Sequence, residues 1–337
     1  MKHLDEGGSV SLSLSAFREM LAAWWYGYTS PDMGALVEYR DRFIGWWNGA
    51  TPDQPSASRV HNAPHQMRTV EAPHAKGQNI SAQLIVSQAL WGEGNLTPGP
   101  ADFIVNLASR LRLSAEMSMI DLGAGLGGPS RALNAAYGIW VTAYEWVEEI
   151  ATAGMEQSIM HGMGRKVPIL HFDPETAAPP ERKIDCFFSK DALHLMPKKK
   201  PLLQAVKAAL KSQGQFCIID YVITKQGADS PHISAWNAAQ EQISHFWSKE
   251  DYAAAITGMK LELRVADDIT EQYCKMIADG FRQLTRTMSQ LLNTETDPDR
   301  QSELRHALAF ESNRWAVRLE AMHAGDIAVV RFSGIRH

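Results

Sequence analysis

Long apolar runs are missing from this chain. Nothing approaches the roughly eighteen consecutive apolar residues of a membrane-spanning helix, and the opening Met-Lys-His-Leu-Asp-Glu-Gly-Gly-Ser has no apolar block of the signal-peptide kind. Cysteine is scarce as well. Cys186, Cys217 and Cys274 are scattered without metal-ligand spacing, which excludes a disulfide framework or a cysteine zinc site. They read as reduced core residues of a cytoplasmic protein. His61, His65 and His74 are spaced too irregularly for a metal site. A basic excess is also absent. Lys and Arg total 33 against 38 Asp and Glu, a net charge of −5 with no basic stripe, so a nucleic-acid partner is not expected. Apolar content is not in deficit: 45% of 337 residues is ample for a full core. No internal repeat is visible.

Against these absences, residues 120–133 (Ile-Asp-Leu-Gly-Ala-Gly-Leu-Gly-Gly-Pro-Ser-Arg-Ala-Leu) carry the strongest signal. The spacing predicts a strand over Met117–Leu122, a turn through Gly123, Gly125, Gly127 and Gly128, and a helix starting near Pro129. Glycines allow the tight turn and close approach of a ligand, and the helix start offers unpaired N–H groups. This is a nucleotide-cofactor site at the end of a first parallel strand. Gly123, Gly125 and Gly128 satisfy the G-x-G-x-x-G fingerprint of NAD proteins. Gly123, Gly125 and Gly127 equally satisfy the G-x-G-x-G turn of S-adenosylmethionine (SAM) enzymes. The surrounding acids favour SAM. Glu145 ends the next strand, Val141–Trp146, where a carboxylate accepts ribose hydroxyls. Asp173 follows a third apolar run, Val167–Phe172, and suits the adenine amino group. Asp121 places negative charge near the ligand's amino-acid end. Acids at successive strand ends suit a cationic cofactor and repel a pyrophosphate.

The rest of the chain fits around this unit. Residues 12–48 predict two aromatic helices, roughly Ser15–Tyr28 and Asp32–Trp47, with Trp24, Trp25, Trp46 and Trp47 among their residues. Three uses stand open for them: packing against the core or against a second copy as a homodimer, a lid that cages a cationic centre, or, with no basic face to support it, docking on a lipid surface. A linker follows over 49–78. Helical periodicity resumes over 79–114 around a turn at Gly92–Pro100. Strands and helices then alternate, with strand four at Ile184–Ser189, strand five at Gly214–Tyr221 and strand six at Lys260–Val265. A helical insertion, about Thr270–Leu292 and Asp299–His323, precedes a last strand at Asp326–Gly334. The expected fold is α/β: a doubly wound Rossmann-like methyltransferase sheet with an antiparallel last strand beside the fifth, N-terminal helices and a C-terminal helical insertion. The expected domains are a helical lid or dimerisation segment (1–78), a SAM-binding core (79–225), and an acceptor-side insertion carrying the last two strands (226–337).

These motifs line up with one family. Leu90-Trp-Gly-Glu-Gly-Asn-Leu-Thr-Pro-Gly99, the Gly123–Arg131 loop, Ser189-Lys-Asp-Ala-Leu-His-Leu195, Asp220-Tyr221 and Ser248-Lys-Glu-Asp-Tyr252 resemble the corresponding segments of phosphoethanolamine N-methyltransferases, within the class I SAM-dependent methyltransferases. The likeness covers about residues 78–335. It implies a cofactor site made by Leu96, Thr97, Gly123, Glu145, Trp146, Asp173, Pro174, Ser189 and Lys190, and a catalytic His194. The family's tyrosine upstream of the pre-core turn falls on Asn79, after Gln78. Its phosphate-binding Arg and Tyr fall on Gln242 and Ser244. A basic residue after the C-terminal tryptophan, Trp315, survives as Arg318. The cofactor half is kept and the acceptor half rebuilt.

Methyl transfer from a sulfonium is an in-line displacement that depends chiefly on positioning. A base is needed only when the nucleophile arrives protonated, as an ammonium does, and a histidine titrates near the right pH. A thioether already offers a lone pair. His194 therefore reads as base or acceptor partner, and Tyr221 as a phenol at the acceptor or as packing. Arg318 reads as a bidentate clamp on a carboxylate or phosphate, or as a solvated residue. Lys198-Lys199-Lys200 reads as a solvated loop. The expectation is a methyltransferase acting on a small polar, anion-bearing molecule, with nitrogen favoured as the acceptor atom. Sulfur methylation of a methylthio acid and non-catalytic SAM binding are the alternatives.

Overall fold

The computed structural model describes residues 81–173, 183–227 and 229–337. The expected helices Ser15–Tyr28 and Asp32–Trp47, the linker, and the site candidates Gln78, Asn79 and Pro174 lie outside the described residues.

Elements are numbered through the described residues. Helix α1 (Ala82–Trp91) and α2 (Ala101–Ala108) precede β1 (Ser118–Leu122), α3 (Gly128–Tyr137), β2 (Trp140–Glu145), α4 (Glu148–Met160) and β3 (Ile169–His171). Then come β4 (Ile184–Lys190), α5 (Lys199–Ala209), β5 (Leu210–Ile223), α6 (Pro231–Ala238), α7 (Lys249–Gly258), β6 (Leu261–Asp268), α8 (Thr270–Thr294), α9 (Pro298–His323) and β7 (Ile327–Arg336). The strands form one sheet in the order β3-β2-β1-β4-β5-β7-β6. β1 runs parallel to β2 and β4, whereas β7 is antiparallel to both β5 and β6. The expected sheet is therefore the observed one, including the last strand slipped in beside the fifth.

The central strands are buried on both sides by helices, so they read as continuous apolar runs such as Cys186-Phe187-Phe188. The chain reverses its direction of sheet growth between β1 and β4, and their carboxyl ends open a crevice there. That is where open α/β sheets bind ligands. The apolar stripe of α8, Tyr273, Ile277, Phe281, Leu284, Met288 and Leu292, is buried. Gly280 on that helix meets Trp91, whose ring lies edge-on to Trp315 of α9 at 4.7 Å. These contacts dock α8 and α9 onto α1.

Strand boundaries differ from expectation at several ends: β6 runs on to Asp268 and β7 to Arg336, and β3 and β5 differ for reasons visible in the backbone. β3 is shorter than Val167–Phe172 because Pro168 has no N–H to give the ladder. β5 begins four residues before Gly214, since Ile184 pairs with Leu210 ahead of a register shift that carries Cys186 to Gln215. Gln213 takes a left-handed φ of 64° inside that bulge.

Candidate active site

One cavity of about 290 Å³ runs along the crevice from the glycine loop to α9. At one end lie Leu96, Thr97, Asp121, Gly123, Gly125, Glu145, Trp146 and Lys190. Gly123 has φ of 75°, and a side chain there would collide with Ala192 and Trp146, so the cradle exists only with glycine. The Glu145 carboxylate accepts from the Gly125 N–H at 2.8 Å and the Val147 N–H at 3.0 Å. Burial raises its pKa, and those backbone donors oppose the rise. It is thereby held in place with lone pairs left for further donors. Asp121 accepts from the Ser130 hydroxyl at 2.6 Å, and burial pushes its pKa up to about 7. Lys190 donates to Thr97 at 2.7 Å and to Asp191 at 2.5 Å, and Tyr273 caps the second Asp191 oxygen at 2.8 Å.

The pre-core turn is tied to this loop by buried polar groups. Gly128 donates to the Gly94 carbonyl, and Arg131 donates to Leu126 O, Ser158 and Gln157. Gln157 in turn donates to Gln88, which accepts from the Gly94 N–H. The turn that presents Leu96 and Thr97 is thus fixed from α1, α3 and α4 at once.

At the other end lie His194, Gln240, Gln242, Phe310, Arg314 and Arg318. His194 is fully buried; its Nδ1 meets Asp220 at 2.8 Å while its Nε2 has no partner. Tyr252 donates to the other Asp220 oxygen at 2.5 Å. Phe246 stacks on the imidazole, and the His245 N–H donates to the His194 carbonyl at 2.6 Å. Arg318 is buried under Trp236, Trp315 and Tyr221, with its guanidinium 4.8, 4.7 and 5.6 Å from their ring centres. Burial pushes its pKa down to about 10, which leaves it cationic near neutrality. It donates to Gln240 Oε1 at 2.8 Å. Gln240 also donates to Ser244, which accepts from the Trp236 indole.

The structure thus brings together Leu96, Thr97, Asp121, Gly123, Gly125, Glu145, Trp146, Lys190, His194, Gln242 and Arg318 on one cavity wall. Among the described candidates, Asp173, Ser189, Tyr221 and Ser244 lie off that wall. Ser189 donates to the Leu122 carbonyl at 2.8 Å, a bond that joins β4 to β1. The Tyr221 hydroxyl is buried without a partner, its pKa pushed well above 10 by burial, and its ring packs edge-on to His194. Asp173 follows β3 at the exposed surface. Lys199 departs from the expected solvated loop. It is buried, donates to the Met196 and His245 carbonyls, and burial lowers its pKa to about 8. Sequence reasoning missed Asp191, Gln240, Arg314 and the partner role of Asp220. The spacing of Glu311, Arg314, Trp315 and Arg318 on one helical face was the available signal.

The fold and the strand-end acids define a class of protein. Residues 120–218 match the family model described as a methyltransferase domain. The matched domain and the fold are those of class I SAM-dependent methyltransferases, enzymes whose cofactor is SAM. The chain resembles the phosphoethanolamine N-methyltransferases. It is 23% identical over 209 residues to the phosphoethanolamine N-methyltransferase of Plasmodium falciparum, covering 61% of this chain and 77% of that enzyme. Its fold is similar to that of Haemonchus contortus phosphoethanolamine N-methyltransferase 2, solved with phosphomonomethylethanolamine and S-adenosylhomocysteine. There the TM-score is 0.63 at 15% identity, covering 75% of this chain and 57% of that one. The chain therefore spans just over half of the nematode protein. Geranyl diphosphate C-methyltransferase from Streptomyces coelicolor is also similar, with a TM-score of 0.52 at 16% identity and coverage of 70% and 79%.

Proposed function

We propose that this chain methylates a nitrogen of a small acceptor whose anionic end is held by Arg318. One observation carries the reading. A buried guanidinium lines the same cavity as Asp121 and Glu145, and its bonded partner is the neutral Gln240. A buried cation without a bonded carboxylate is costly unless an anion completes it, and a guanidinium fork suits a carboxylate or phosphate.

In this reading Glu145 holds the ribose hydroxyls and Asp121 the amino group of SAM, with Leu96, Thr97, Trp146 and Lys190 contributing to its place. SAM, when bound, supplies an electrophilic methyl carbon. The residues beyond 225 supply the acceptor side, through Gln240 and Gln242 before α7 and Arg314 and Arg318 on α9. Tyr221 packs against His194 and Arg318, the two residues proposed to face the acceptor. His194 takes the proton from an acceptor ammonium and frees its lone pair.

The test is a product assay by mass spectrometry. The protein is incubated with SAM and a panel of small amines bearing phosphate or carboxylate, beside methylthio acids and allylic diphosphates. The expected result is a methylated amine, and a loss of about 10²–10⁴ in turnover for His194→Ala with acceptor affinity little changed. Methylation of a thioether, with His194→Ala still active, would move the acceptor atom to sulfur. SAM binding without turnover on any acceptor would make the chain a non-catalytic SAM binder.

A further inference from the structure

His194 is held by more than its neighbours in sequence. Its Nδ1 lies 2.8 Å from Asp220 Oδ1, and Asp220 is wholly buried. The second carboxylate oxygen accepts from the Tyr252 hydroxyl at 2.5 Å. That phenol is also buried, and its pKa is pushed well above 10 by desolvation and by Asp220 itself, so it stays a donor. The buried ammonium of Lys199 adds positive potential near Asp220. An ionised carboxylate only accepts hydrogen bonds. With Tyr252 satisfying one oxygen, the imidazole contact on the other must be Nδ1–H donating. A neutral ring protonated at Nδ1 has a bare Nε2, and Nε2 is the His194 atom left without a partner.

We propose that Asp220 and Tyr252 are positioning residues that lock His194 in its Nδ1–H tautomer, so that Nε2 is the basic nitrogen offered to the acceptor. The proposal rests on the reading of His194 as the base. The N–H bond of the acceptor ammonium breaks, its electron pair stays on nitrogen, and the proton forms a bond to Nε2. The resulting imidazolium keeps its Nδ1 proton and faces the Asp220 carboxylate, which keeps its charge. The proton later leaves from Nε2 to water. No proton passes to Asp220 or Tyr252. Phe246 stacked on the ring and the His245 N–H on the His194 carbonyl leave the ring little freedom to turn away.

The arrangement also predicts what Asp220→Asn does. The Tyr252 hydroxyl favours the amide oxygen as its acceptor, which turns the amide NH₂ toward His194. That group donates to Nδ1 and forces the proton onto Nε2, the wrong tautomer for a base.

The experiment reads the tautomer directly. Long-range proton–nitrogen correlation spectra are recorded on ¹⁵N-labelled full-length protein without ligand, above neutral pH, with the His194 signals assigned by their loss in His194→Gln. The expected wild-type pattern is a protonated Nδ1 and a bare Nε2. Asp220→Asn should invert or mix that pattern and lower kcat by about 10²–10⁴-fold, with the acceptor KM changed little. Tyr252→Phe should keep the Nδ1–H pattern and lower kcat more mildly, by about tenfold. A wild-type ring protonated at Nε2 would overturn the proposal whatever the activities. So would Asp220→Asn with an unchanged tautomer and near-normal kcat. Should Asp220→Asn fail to fold, the wild-type spectrum and Tyr252→Phe decide. Turnover that survives His194→Ala would remove the base reading alone, since the tautomer is observed without substrate.

Discussion

Single residues set the electrostatics of the site. Asp121 carries a native pKa of about 7 against an ordinary 3.8, chiefly through burial. Between those values the folded protein holds a proton that the unfolded chain has released. Its stabilising contribution is therefore complete below about 3.8 and declines as pH rises through 7. The melting temperature of wild type should fall relative to Asp121→Asn between pH 5 and pH 8, measured by calorimetry; a constant difference would show that Asp121 ionises freely. Arg318 acts on the acceptor instead. Arg318→Met preserves bulk under Trp236 and Trp315 but removes the charge, so the acceptor KM should rise about 10–100-fold with SAM affinity unchanged. Steady-state kinetics with each substrate varied in turn checks this. At this scale the sequence was most legible where backbone chemistry constrains identity. Gly123 and Glu145 could be singled out because a left-handed turn and a strand-end carboxylate leave pattern in the chain. Asp220 could not. Its partners His194 and Tyr252 are 26 and 32 residues away, and nothing local marks the pairing.

Elements bring these residues within reach of one another. Helix α9 delivers Phe310, Arg314 and Arg318 to the cavity, and its seat depends on α1 and α8. Gly280 of α8 faces Leu90 and Trp91 of α1. A Cβ added there falls 2.6 Å from Trp91, and a larger side chain would meet the ring that packs on Trp315. Gly280→Val should lower stability by about 1–3 kcal/mol through overpacking, read from denaturant unfolding, and should weaken acceptor binding more than SAM binding. Unchanged acceptor binding would contradict the seating of α9 on α1 and α8. Helix periodicity made α8 and α9 readable, with their ends shifted by no more than a turn. The acceptor face of α9 was less readable, since Arg314 and Arg318 look like solvent residues until Phe310, Trp236 and Trp315 cover them. Lys199 failed in the same way: a lysine run reads as solvated, yet its middle member is buried against the Met196 and His245 carbonyls.

At the scale of the molecule, the sheet order β3-β2-β1-β4-β5-β7-β6 decides where chemistry can occur. It gathers the ends of β1, β2 and β4 at one crevice, and with them Asp121, Glu145 and Lys190. Among the described residues no helix is long and apolar enough to cross a membrane, and no cluster of His, Cys, Asp and Glu could hold a metal ion. The alternation of strands and helices made this topology legible, down to the antiparallel final strand. The acceptor was not legible, because it is recognised by residues that the fold draws from α6, α9 and the segments between, each on its own uninformative. The central claim is that strand-end carboxylates hold a positively charged adenosyl methyl donor. Isothermal titration of the full chain with SAM, S-adenosylhomocysteine and NAD tests it most directly, with Glu145→Ala alongside. The account predicts saturable binding of both adenosyl ligands, none of NAD, and about 10–100-fold weaker binding by the variant; binding of NAD in their place, or silence toward SAM at millimolar concentration, would contradict it.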